Sequence, residues 1–207
     1  MDFKLHANHV AKKCNAFLFS YYPIQRLLSY ESKLLLIDAY VLSSINYAFS
    51  VWGNGSLQTK KTIDKILRSA ARFIFNFKKF DPISRQLNLE LEWLNSKYRF
   101  QFECLKFAFK IINNMVPDKF LNYLNIVDTN TRATRQQTYV TPLTNLPGKY
   151  GEKSLKFNAT KLWINLPTEI QNCNSFPLFK KTLMAHLLTK QLTDSEDNLH
   201  DLNYCDL

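Results

Sequence analysis

The chain has 207 residues, 46% of them hydrophobic, with 16 Phe, 10 Tyr and 4 Gly. That is enough apolar material for one large domain, or one domain with a small appendage, and so few glycines argue against a turn-rich sandwich or barrel. The net charge of +10 favours polyanionic partners, nucleic acid first and an anionic membrane surface second.

A first helix is expected over Leu5–Ser20, with Val10, Cys14, Phe17 and Leu18 on its apolar edge and Lys12 and Lys13 elsewhere. Tyr22-Pro23 breaks it. Ser29 or Ser32 can cap a second helix from Glu31 to Val51, which Gly53-Asn54-Gly55-Ser56 ends as a hinge. Within it, Leu34–Trp52 carries a single charge, Asp38, but also Ser43, Ser44, Asn46 and Ser50. A buried core helix is the expectation there rather than a membrane span.

The third helix, Leu57–Phe77, has two faces. At about 100° per residue, Lys61, Lys65, Arg68 and Arg72 fall within a sector of roughly 60°. Ile63, Ile66, Leu67, Ala70, Phe73, Ile74 and Phe77 fill the opposite side. No acid lies in the cationic sector. Asp64 sits off it, at the spacing that lets it pair with Arg68. Such a stripe suits a phosphate backbone, although a basic protein also carries solvated charge for no purpose.

Asp81-Pro82 opens a short helical turn through Gln86 and Leu87. A long helix follows over Asn95–Met115. Leu94, Tyr98, Phe102, Leu105, Ala108, Phe109 and Ile112 form its inner stripe, and Arg99, Glu103, Lys106 and Lys110 its far side. Val116-Pro117 stops it, and Pro117–Leu124 is expected as one more short helix. Asn125–Gly151 lacks periodicity and reads as loop, with a short strand at Thr138–Thr141 and two cations, Arg132 and Arg135, before Lys149. Helices resume over Lys153–Trp163 and Ser175–Leu188. All 27 Lys and Arg lie at or before Lys190, whereas five of the 17 acids follow it. An acidic, disordered tail is expected over 191–207, free to compete for the basic face.

The chemistry most enzymes need is missing from local sequence. There is no Asp-Asp or Asp-x-Asp to hold two metal ions, no His-Glu-x-x-His and no Gly-x-Ser-x-Gly elbow. Pro147–Gly151 has the wrong glycine spacing for a phosphate loop. Cys14, Cys104, Cys173 and Cys205 are scattered without ligand spacing, and no signal peptide precedes them, so reduced thiols in the cytoplasm or nucleus are expected. His6 and His9 share a helix face, but without a nearby acid or Cys a surface or capping role is expected. No catalytic residue, metal ligand or cofactor is therefore assigned.

Several segments together resemble the carboxy-terminal part of the reverse transcriptases of non-LTR (LINE-type, jockey/CR1-like) retrotransposons. Asp2–Phe19, with His9 and Lys13, is similar to the segment following the catalytic palm. Leu34–Gly53, with Tyr47 and Trp52-Gly53, resembles a helix ending in tyrosine and then Trp-Gly. Ile63–Phe75 resembles a basic helix, with Ala71 at a small position and Arg72 and Ile74 near its usual Arg and Ile. Thr131–Gln137 is similar to an arginine-bearing loop. Lys153–Leu188 resembles the closing block, through Leu162-Trp163, Asn165-Leu166-Pro167, Ile170 and Phe179-Lys180-Lys181. The resemblance covers about residues 2–189. Each motif is loose alone; their order and spacing carry the likeness.

A mainly α fold is expected; the resemblance implies a helical thumb over 1–80 and a carboxy-terminal extension over 81–190, helical by its periodicity and loop-rich at 125–151, before the acidic tail. It implies a fragment of an RNA-directed DNA polymerase that grips the template–primer duplex, RNA/DNA or DNA, through phosphates. Lys61, Lys65, Arg68 and Arg72 would make those contacts, with Lys12, Lys13, Arg132 and Arg135 as secondary ones. The palm's Asp-Asp pair is absent, so the chain would not polymerise alone. A palm-bearing polymerase portion is a second expected partner, and no membrane is. The alternatives are a helical protein-interaction module and an inactive retrotransposon relic.

Overall fold

The computed structural model describes residues 3–84, 86–120, 123–124, 126–128, 138–140, 151 and 154–203, with 86, 126–128, 138–140 and 195–203 described by backbone alone. The protein is mainly α. It forms two compact units, one of residues 1–99 with 188–207 and one of residues 100–187. These divisions differ from the expected boundaries at 80 and 190, because the last helix returns to the first unit.

In the first unit, α1 (Lys4–Tyr21) buries Ala7, Val10, Cys14 and Leu18. Their spacings of three and four put all of them on one face. A 3₁₀ turn, Tyr22–Leu27, follows at Pro23. Next comes α2 (Tyr30–Leu36), whose N-terminus is capped by Ser29 accepting from the Ser32 amide at 3.2 Å. The chain then widens into a π turn, Ile37–Leu42, before α3 (Ser43–Asn46) and α4 (Phe49–Trp52).

The expected single helix over Glu31–Val51 is thus broken twice, for visible reasons. Ile37, Val41, Ile45 and Phe49 are all buried at a strict spacing of four. On a regular helix that spacing drifts by about 40° per step; a wide π turn reduces the drift and keeps the line facing inward. The Ser43 and Ser44 hydroxyls also donate to the carbonyls of Ala39 and Tyr40, four residues back, a bond that bends helices. At Ala48 the backbone turns left-handed, with φ of 48°. There the Trp52 indole N–H donates to the Tyr47 carbonyl at 2.7 Å. Trp52 is buried, edge-on to Phe49 at 4.8 Å and to His6 at 4.9 Å. A Cβ on Gly53 would come within 2.6 Å of the Phe49 carbonyl oxygen, so glycine is needed for that approach. Trp52 and Gly53 of that signature are therefore fixed by packing, while Tyr47 contributes its carbonyl and leaves its ring exposed.

Helix α5 (Leu57–Phe75) starts at Ser56, which caps the Thr59 amide, and ends at Asn76 in the left-handed conformation. It ends two residues before the expected Phe77, because Asn76 closes it and Phe77 N–H bonds back to the Arg72 carbonyl at 3.0 Å. Its buried residues include Ile63, Ile66, Leu67, Ala70, Phe73 and Ile74, as the periodicity requires. A π turn, Gln86–Glu90, leads to α6 (Ser96–Ile112).

The second unit holds most of α6, a 3₁₀ turn at Asp118–Phe120, and a two-stranded antiparallel ribbon of β1 (Ile126–Asp128) and β2 (Thr138–Val140). The ribbon pairs Ile126 with Val140. Helices α7 (Leu155–Ile164), α8 (Thr168–Gln171) and the first part of α9 (Phe176–Asn203) complete it. Phe109 stacks on Phe179 at 4.2 Å, and both meet Trp163. No helix among the described residues is long and apolar enough to cross a membrane.

Residues 191–203, in the stretch expected as the acidic tail, continue α9 as helix, and 204–207 lie outside the described residues. No Pro or Gly interrupts the chain there, and Gln191 is buried, accepting from the Asn95 amide and donating to the Trp93 carbonyl. Arg99, expected on the outer face of its helix, is only 8% exposed. It donates to the Leu94 carbonyl at 3.3 Å and to Asn46 at 2.8 Å.

Candidate nucleic-acid interface

On α5, Lys61, Lys65 and Arg68 are exposed. The buried residues of the same helix hold it against α1 and α2, so these three side chains are presented from a fixed backbone. Asp64, the acid nearest them in sequence, is turned to another task. Its two carboxylate oxygens accept from the Ser96 amide at 2.8 Å and the Ser96 hydroxyl at 3.0 Å. It thereby caps the first turn of α6, alongside Asn95, which accepts from the Tyr98 amide. The expected Asp64–Arg68 pair is not formed among the described residues, and Arg68 is exposed.

Arg72 differs from the other three. It is partly buried, and its Nη2 donates to the Asp81 carbonyl at 3.2 Å. Its Nε is buried without a partner among the described residues. It lines a cleft of about 480 Å³ together with Phe19 and Tyr22 from the α1 side and with Ser69, Lys78 and Lys79. The turn that carries the last two is braced. Gln25 donates to the Phe73 carbonyl at 2.7 Å, and Asp81 accepts from the Lys78 amide at 2.7 Å. Burial raises the Tyr22 phenol above its ordinary pKa, with the Arg72 charge opposing the rise. Behind α5, buried Lys33 donates to the Asn76 side chain at 2.8 Å, and its burial lowers the pKa of the ammonium.

Helical spacing divides the secondary cations. Lys12 lies one turn before Asn15, which also lines the cleft, so it extends the same edge of α1. Lys65 stands likewise one turn before Ser69. Lys13 points roughly 100° away from Lys12, and although exposed it does not join this edge. Arg132 and Arg135 lie outside the described residues. Lys61, Lys65, Arg68 and Arg72 thus share one side of α5, and Arg72 meets Lys78 and Lys79 at the cleft. Sequence periodicity missed these two because they follow the helix. Their only local signal is the run Lys78-Lys79 between Phe77 and Phe80.

Other reactive groups are occupied by packing. The Cys14 thiol is pushed by burial to about 11, and burial raises that of Cys104 as well. No group of three His, Cys, Asp or Glu side chains comes together among the described residues. No family model, curated protein or solved structure matches the chain.

Proposed function

We propose that the chain is a nucleic-acid clamp: a helical thumb-like fragment, similar to the carboxy-terminal part of a non-LTR retrotransposon reverse transcriptase, that holds an RNA/DNA or DNA duplex by its phosphates. It positions the duplex for a polymerase centre on another polypeptide portion and does not polymerise by itself. Lys61, Lys65 and Arg68 make the primary contacts, and Arg72, Lys12, Arg132 and Arg135 are assigned secondary ones, while Lys13 points away from this edge. The observation that carries the reading is the exposed cationic sector of α5, whose nearest acid in sequence is committed to Ser96. Contacts of this kind fix register without reading sequence.

The experiment is duplex binding across a salt series with the Lys61→Ala, Lys65→Ala, Arg68→Ala triple variant. All three side chains are exposed, so the fold should survive. Binding should weaken about equally for every sequence tested, and the slope of log K against log salt should fall by about one per lost contact. Unchanged affinity and slope would remove this face from the proposal.

One observation favours a second reading, that of an interaction module docking a palm-bearing polymerase portion. Leu5, Phe19, Leu35, Tyr47 and Phe80 are all more than 70% exposed, and a docked protein covering them would take their apolar surface out of water. Retention of such a protein after nuclease treatment would support this reading, and its complete loss would count against it.

A further inference from the structure

The cleft beside the end of α5 combines two kinds of side chain that seldom share a purpose. Phe19 is 75% exposed and meets Tyr22 edge-on at 6.2 Å. Tyr22 is edge-on in turn to buried Phe73 at 5.6 Å. The open aromatic pair therefore rests on the core. Arg72, partly held by the Asp81 carbonyl, and the exposed Lys78 and Lys79 line the same cleft. No carboxylate among the described residues lines the cleft. The nearby Asp81 is engaged with the Lys78 amide.

A site for phosphate alone has no use for open rings, and an apolar pocket has no use for three cations. A nucleotide unit presents both a π-face and a phosphate. The volume of about 480 Å³ lies within the range of small-ligand sites. We infer that this cleft takes one unpaired nucleotide of a single strand, its base against Phe19 and Tyr22 and its phosphate against Arg72, Lys78 and Lys79. The inference shares its ligand class with the duplex clamp and uses other residues than the exposed sector of α5. It gives the clamp a second subsite, for a strand that leaves the duplex.

The test titrates the full chain with a short oligothymidylate and with an abasic strand of equal length. The base-bearing strand should bind about tenfold more tightly. Phe19→Ala, at an exposed position, should erase that advantage, and so should Lys78→Ala with Lys79→Ala if phosphate and base are held together. The Lys61, Lys65 and Arg68 variant should weaken duplex binding yet keep the advantage. Failure of the duplex clamp with a persisting base advantage would therefore leave the cleft standing. Equal binding of the two strands, or an advantage that survives Phe19→Ala, would overturn the cleft. Thymidine monophosphate competing as well as the strand would overturn the assignment to a strand, since free nucleotide would then be the occupant.

Discussion

At position 64 an acid stands within one turn of Lys61, Lys65 and Arg68, and the direction of its hydrogen bonds decides what those cations meet. Both oxygens of Asp64 are taken by Ser96. Asp64→Asn keeps the shape but offers one acceptor where there were two. The variant should lose about 1 kcal/mol of stability, read as a fall of about 2–4 °C in Tm. Its duplex affinity at low salt should rise a few-fold, because a negative charge leaves the vicinity of the sector. A merely destabilising change would lower both readouts. The two faces of α5 were legible in the sequence because they depend on neighbours three and four residues apart. The fate of Asp64 was not, because its partner lies 32 positions away. Arg99 shows the same limit. Its spacing put it with Glu103, Lys106 and Lys110, yet Asn46, 53 positions back, draws it inward. Local periodicity assigns a face, and a distant polar partner can overrule it.

Among the elements, α9 departs most from the sequence-level expectation. Charge alone made its end look like a solvated tail, but its polar groups have partners far back in the chain. Lys97 forms an ion pair with Asp194 at 2.6 Å, and the Tyr98 hydroxyl donates to the same carboxylate. The Lys97 hydrogen bond, helped by that of Tyr98, holds the Asp194 carboxyl below its ordinary 3.8. The folded state thus binds this proton less readily than the unfolded chain does. The contribution to stability is complete above the ordinary value and is lost as pH falls through the lower folded one. Asp194→Asn should therefore be less stable than the parent near pH 6, and the gap should close in melts taken between about pH 5 and pH 2. A gap independent of pH would exclude this ion pair as its cause. The long Glu31–Val51 segment teaches the converse lesson. Its apolar character and the Ser29 cap were readable, whereas the π turn and the break at Ala48 were not, since hydroxyl back-bonding and the Trp52–Tyr47 bond are set by packing.

Over the whole molecule, the first unit leaves a large amount of apolar surface uncovered. Leu5, Leu27 and Leu35 are each more than 70% exposed, and each forgoes roughly 1.5–3 kcal/mol of burial. The chain should self-associate at micromolar concentrations, with a sedimentation coefficient that rises with loading. Changing these three leucines to Ser should return it to a monomer without lowering Tm; a concentration-independent parent would refute the expectation. The two-unit division has a consequence for how the molecule comes into being. Residues 100–187 interrupt the first unit in sequence, and the groups that complete it arrive only with Gln191 and Asp194. On the ribosome, the first 99 residues emerge with the Asn95 amide and the Trp93 carbonyl still waiting for Gln191. The first unit therefore gains its last partners only after nearly all of the second has been synthesised.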